Sequence, residues 1–255
     1  MPELPEVEGF ARYFAQHGLR QPITRVRVRD ERILGVRKES LFRALRGHAF
    51  DRVHRHGKHL FAEVGESWLH LHFGMTGDLE YYEDEEPRFA RVIFDFAGGH
   101  LAFVDMRLFG VVDLTPSPDA YIEEHHLGPD PLEMSLAQFR DLIAKRRGAI
   151  KALLLSQDFV AGIGNLYADE TLFQTDIHPR RPVDRLSDAE VRVVYNGMRR
   201  ILREVIRVRE KDGDWPARYL SMHREEGERC PKCGGTIQRT VVGSRTTYYC
   251  GKHQK

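Results

Sequence analysis

Pro2 and Glu3 stand directly behind Met1, in an opening, MPELPEVE, that holds two prolines and three glutamates. Its chemistry allows two readings. Proline suits the first turn of a helix, and carboxylates favour the positive end of the helix dipole. Alternatively, trimming of Met1 leaves Pro2 with a secondary amine, a nucleophile that titrates at about pH 8, far below lysine. At the far end, Cys230 and Cys233 are separated by two residues, sixteen follow, and Cys250 and His253 repeat the two-residue gap. Each close pair forms a tight turn that presents two ligands to one ion, which suits tetrahedral zinc. Buried cysteines can also act as small hydrophobes, but so polar a tail offers little core to receive them. One structural zinc is expected, on a β-hairpin with Arg245 near its tip. A third group is the glycine loop of LLSQDFVAGIGNLYADETLF, where Gly162 and Gly164 allow close backbone approach and Asn165 is a candidate N-cap. A helix start of this kind suits an anion. No Lys-Ser/Thr follows the glycines, so a nucleotide-binding P-loop is excluded.

These residues need elements to hold them. Glu3 to His17 reads as a helix with Val7, Phe10, Ala11 and Phe14 on one face and Gly18 as its stop. ITRVRVRD alternates as a strand, and a short helix, Glu39 to Arg46, ends at Gly47. SWLHLHFG places Leu69, Leu71 and Phe73 on one side and Trp68, His70 and His72 on the other. FARVIFDF and HLAFVDM flank Gly98-Gly99, a hairpin signal. Residues 1–114 therefore read as a β-sandwich with an N-terminal helix. The proline-rich stretch 115–134 reads as a linker, and a helical region, 135–222, follows. Ser135 with Gln138 and Ser187 with Glu190 are capping-box pairs. VYNGMRRILREVIRVRE stacks Val194, Met198, Ile201, Leu202, Val205 and Ile206 on one stripe, with its arginines elsewhere, ordinarily a solvated face. Residues 223–255 form the finger. The class is α+β, multidomain.

The chain has 255 residues, 41% of them hydrophobic and 30% charged, with a net charge of +1. Bulk charge therefore does not announce a polyanion binder, and any such site must come from local clustering. No apolar run approaches membrane-spanning length, and no signal peptide precedes the first charges, so a cytoplasmic location is expected. Three cysteines, all within the last 26 residues, disfavour a disulfide framework.

In order and spacing, PELPEVE, GKHLF around Lys58, HFGMTG around Met75, DMRLFG around Phe109, VAGIGNLYADETLF and the finger together resemble the formamidopyrimidine-DNA glycosylase family, which also contains endonuclease VIII. The resemblance covers nearly the whole chain. It implies the β-sandwich, helix–two-turn–helix and finger architecture. It also implies a base-excision-repair DNA glycosylase with AP lyase activity, acting as a monomer on damaged double-stranded DNA of the bacterial nucleoid. Pro2 would attack C1′ of the damaged nucleotide and form a Schiff base, with strand cleavage by β,δ-elimination. Glu3 would serve as the acid–base residue and Glu6 would support it, while Glu8 stays structural. Lys58 would contact phosphate in the catalytic pocket. His72, Asn165 and Arg245 match phosphate-contacting positions, Arg245 being grouped with the catalytic set. Met75, Arg107 and Phe109 match the residues that fill the void left by the flipped nucleotide. Cys230, Cys233, Cys250 and His253 would hold the zinc.

The chain departs from the family pattern at three places. His253 replaces a fourth cysteine, which zinc tolerates. Leu108 stands where a second basic residue often occurs. The stretch EKDGDWPARYLSMHREEG, residues 210–227, looks shorter than the segment that folds over 8-oxoguanine in purine-repairing members. An endonuclease VIII-like preference for oxidised pyrimidines is therefore one alternative, and a non-catalytic damage-binding zinc protein is another.

Overall fold

Glu3 is the N-cap of helix α1 (Leu4–Gly18), not its first residue, and Pro5 sits in the first turn. The Glu6 carboxylate accepts the Glu3 backbone N–H at 2.8 Å and closes a reciprocal capping box with it. Gly18 ends the helix from inside. The computed structural model describes residues 1–211 and 213–255 and divides into two units, Met1–His126 and Leu127–Lys255.

The first unit holds β1 (Arg25–Val28), α2 (Lys38–Leu45), β2 (Phe50–His56), β3 (His59–Val64), β4 (Ser67–His72), β5 (Gly77–Tyr82), β6 (Ala90–Asp95), β7 (His100–Asp105), β8 (Val111–Thr115) and α3 (Pro118–Glu124). Its strands form two antiparallel four-stranded sheets, in the orders β2-β3-β4-β8 and β1-β6-β7-β5. Leu60, Leu69 and Leu71 of one sheet share a core with Val92, Phe94, Leu101 and Phe103 of the other. Val7, Ala11 and Phe14 of α1 enter the same core, and the Phe14 and Phe50 rings meet edge to face at 5.0 Å. Phe10 is only half-buried, against Phe73. The histidine side of β4 is covered too. His70 is 1% exposed, with Tyr121 of α3 packed 4.1 Å from its ring. That helix lies within the stretch expected as a linker, because Ser117 caps it and Pro118 opens it.

The second unit carries α4 (Leu136–Ala144), α5 (Ile150–Leu155), α6 (Asn165–Gln174), α7 (Asp188–Arg209) and the hairpin β9 (Gln238–Val242) and β10 (Arg245–Tyr249). Both capping boxes form, Ser135 with Gln138 and Ser187 with Glu190. All six stripe residues of α7 are buried. Phe173 of α6 shares a cluster with Leu220, Cys230, Ile237 and Cys250, so the hairpin packs with the helices as one body. Among the described residues, no helix is long and apolar enough to cross a membrane.

Candidate functional site

In the first unit, Glu3 is 3% exposed and Pro2 half-buried. Glu8, two residues beyond Glu6, bonds Arg55 at 2.8 Å and Arg12 at 3.1 Å. Arg55 is the last residue but one of β2, just before the turn that carries Lys58, and its guanidinium also donates to Gly57 O at 3.3 Å. Glu8 thus ties the start of α1 to the Lys58 turn. Gly57 makes that turn with φ +56°. Lys58 is half-exposed and close enough to His72 for its charge, added to burial, to lower the imidazole pKa. His72 is therefore neutral at neutral pH. Its Nδ1 accepts the Gly74 N–H at 3.2 Å, which assigns its proton to Nε2.

Two loops cross from one sheet to the other. Phe73–Thr76 joins β4 to β5, and Met106–Gly110 joins β7 to β8. They expose Met75 (43%), Met106 (55%) and Phe109 (52%), and Arg107 is exposed beside them. The Arg107 guanidinium lies 4.8 Å from the Phe109 ring centroid. Fully buried Asp105 holds both loops. It accepts the Thr76 hydroxyl at 2.5 Å, the Arg107 N–H at 3.1 Å and the Gly110 N–H at 2.8 Å. The loops touch so closely that a Cβ on Gly74 (φ +55°) would lie 2.3 Å from the Phe109 carbonyl carbon. Leu108 adopts φ +58° and turns into the core, which leaves Arg107 and Phe109 outside. Its replacement of a basic residue therefore adds an anchor to the loop.

Behind Lys58, the outer face of β3 and β4 forms a histidine cluster that sequence periodicity did not single out. His59 Nδ1 meets His70 Nε2 at 2.9 Å, and the His59 ring also packs against His72. Burial, with neighbouring histidines second, pushes His59 down to about 2 and His70 down to about 3.

In the second unit, Gly164 takes the N-cap place on α6, and Asn165 is the first helical residue. The Asn165 amide is engaged elsewhere. Its Nδ2 donates to Thr246 O at 3.0 Å, and Lys151 Nζ reaches the same carbonyl at 3.2 Å. Thr246 directly follows Arg245, so both bonds fix the strand that presents Arg245, itself exposed. Lys151 also donates to Thr247 Oγ1 at 2.6 Å and pairs with Asp169 at 2.6 Å, both charges fully buried. Burial pushes the Asp169 carboxyl up, against the opposing pull of Lys151 and Arg224. Neither Lys151 nor Asp169 carried a sequence signal, since each sits in an ordinary helical pattern. Gln157 orders the preceding loop by accepting the Gly162 N–H and donating to Leu155 O and Ile163 O.

The ligand atoms of Cys230, Cys233, Cys250 and His253 all lie within 4.8 Å of one another. Cys233 Sγ is 3.5 Å from Cys250 Sγ and 3.4 Å from His253 Nδ1, and Cys230 Sγ is 3.7 Å from that nitrogen. A tetrahedron with Zn–S bonds of about 2.3 Å has edges of about 3.8 Å, so the four fit one zinc ion. His253 Nε2 faces Phe173 O at 3.4 Å, a contact that orients the ring with Nδ1 toward the sulfurs. Bound zinc would tie the two turns together, and its role is structural.

Comparison with known proteins covers the same ground. Family models match at residues 1–112 (formamidopyrimidine-DNA glycosylase N-terminal domain), 127–213 (formamidopyrimidine-DNA glycosylase H2TH domain) and 227–252 (zinc finger found in FPG and IleRS). The chain is 34% identical to a formamidopyrimidine-DNA glycosylase of Desulfitobacterium hafniense, over 98% of both chains. It is 35% identical to one of Heliobacterium modesticaldum, over the whole of both. A crystal structure of the Lactococcus lactis enzyme, non-covalently bound to DNA containing an AP site, superposes with a TM-score of 0.88 at 28% identity, covering 99% of each chain.

Proposed function

The chain belongs to the formamidopyrimidine-DNA glycosylase family, and from that premise we propose how its own residues carry out base excision on damaged double-stranded DNA. Pro2, once Met1 is removed, attacks C1′ of the damaged nucleotide through its secondary amine. The C1′–base bond breaks and the base leaves with a proton. A secondary amine yields a cationic iminium directly, an electron sink that acidifies C2′. Loss of a C2′ proton expels the 3′ phosphate, and a second elimination expels the 5′ phosphate. Glu3 relays protons at the sugar, and Glu6 fixes the turn that carries it. Lys58 and His72 hold phosphate in the first unit, His72 as a neutral donor through Nε2. Arg245 does so in the second, and Asn165 reaches phosphate while its amide also holds Thr246 O. Action as a monomer on nucleoid DNA in the cytoplasm belongs to the same reading.

The observation that carries it is the exposure of Met75, Arg107 and Phe109 on loops locked by a buried carboxylate. Large side chains held rigid in water do nothing for folding, and they suit the gap left when a nucleotide leaves the stack. Borohydride trapping tests the chemistry. With abasic-site duplex the protein should give a stable covalent adduct, seen as a shifted band, and an N-terminal tag should abolish it. Undiminished trapping with the tag in place would move the nucleophile away from Pro2.

A further inference from the structure

Helix α7 carries cations to which the proposed reaction gives no role. Arg200, Arg203 and Arg207 lie on the face opposite the buried stripe, and Lys211, two residues past the helix end, continues the row, at intervals of three, four and four residues. They line a groove of about 660 Å³ that runs from Asn196 to Gly213. Among the described residues, none of the four has a carboxylate partner. Glu204, the acid among the described lining residues, is occupied by Arg218 at 2.5 Å and the Tyr219 hydroxyl at 2.7 Å. Arg199 is taken as well, bonded to Met134 O and the Tyr195 hydroxyl. Three like charges along one helix face, with a fourth just past its end, repel one another and are destabilising unless something answers them. Val193, 47% exposed, lies near the N-terminal end of the same face.

We propose that this groove docks an extended acidic peptide segment of a partner protein, one with carboxylates on alternate residues and an apolar side chain at one end. Cations four residues apart on a helix are spaced by about 6 Å. Alternate side chains of an extended chain are spaced by about 6.8 Å, so two or three carboxylates can meet the row in register. Guanidinium groups bind carboxylates in planar, two-pronged fashion, and Val193 offers contact to the apolar end. Single-stranded nucleic acid fits less well, because the described lining residues include no aromatic side chain on which bases could stack. Duplex DNA would leave Val193 unused and would find neither backbone N–H groups nor a helix N-terminus along this face.

Fluorescence anisotropy with a labelled ten-residue peptide of alternating Glu and Ser, ending in Leu, tests the proposal on the full-length protein. Saturable binding is expected. It should weaken at least tenfold when Gln replaces Glu in the peptide, and at least tenfold in the double variant R203E/R207E. Cleavage of abasic-site duplex by that variant should stay within twofold of the parent, which shows that it is folded. No saturable binding by the parent, or equal binding by the variant, overturns the proposal. A tenfold loss of affinity for undamaged duplex in the variant would assign the face to nucleic acid and equally overturn it.

Discussion

Met75 sits on the loop after Gly74, with about two-fifths of its surface in water, at a position where a smaller polar residue would cost the fold nothing. Its proposed use lies with the substrate. If it fills the stack after a nucleotide flips, Met75→Ala should slow excision of a base from duplex more than cleavage at a preformed abasic site, which needs little flipping. Unstacking costs a few kcal/mol, so the loss on the intact lesion could reach about a hundredfold. Single-turnover rates on the two substrates decide this. Equal losses would point to a fold defect instead. A phenylalanine in a short loop can serve as plug or as core. The structure separates the two roles along one loop, with Leu108 directed inward and Phe109 outward.

At the scale of elements, the two crossing loops act as one because Asp105 bonds both. Asp105→Asn puts an amide N–H against the Gly110 N–H or the Thr76 hydroxyl and loses at least one of the three bonds. A buried polar mismatch of this kind costs about 1–3 kcal/mol. Thermal unfolding should show that loss, and duplex excision should fall about tenfold while abasic-site cleavage falls less. A lower melting temperature with unchanged excision would mean that the loops hold their shape without Asp105. A second element bears on substrate choice. Within residues 210–227, of which Asp212 lies outside the described residues, several polar groups are tied to neighbouring residues of the same unit. Glu170 accepts the Leu220 and Ser221 N–H groups, Glu204 takes Tyr219, Asp169 takes Arg224, and His223 bonds Glu228 and Ala217 O. The groups so tied do not read the N7 hydrogen and C8 oxygen that distinguish 8-oxoguanine from guanine, and rejection depends on such reading. Single-turnover excision should therefore be faster on formamidopyrimidine lesions than on 8-oxoguanine opposite cytosine. Equal rates would place the reading in another segment.

For the molecule as a whole, the histidine pair of β3 and β4 makes stability depend on pH. His59 and His70 have folded pKa values of about 2 and 3, well below the ordinary value of about 6.5. Below that ordinary value the unfolded chain binds more protons than the folded one, so stability falls as the solution is acidified. The contribution is whole above about pH 6.5. Below it the loss grows by up to about 1.4 kcal/mol per pH unit for each such proton. The melting temperature should therefore drop between pH 7 and pH 5. His70→Phe, which removes one titrating group and keeps a ring beside Tyr121, should flatten that slope. An unchanged slope would assign the acid sensitivity elsewhere.

The one-dimensional pattern determined whatever depends on neighbours in the chain. Capping boxes, the α7 stripe, the Gly98-Gly99 hairpin and the paired zinc ligands act over a few residues, so spacing alone reveals them. The site motifs were legible for a related reason. Pro2 and Glu3 sit at the chain's start, and Met75, Arg107 and Phe109 lie in short loops whose neighbours announce them. Tertiary structure decided what depends on residues remote in sequence. Asn165 is drawn from its expected capping place by Thr246, Lys151 and Asp169 find each other inside the helical unit, and His70 meets Tyr121 of a helix within the expected linker. No local period records such pairings. They form only where folding removes water, because burial makes an unanswered polar group costly enough to fix its partner.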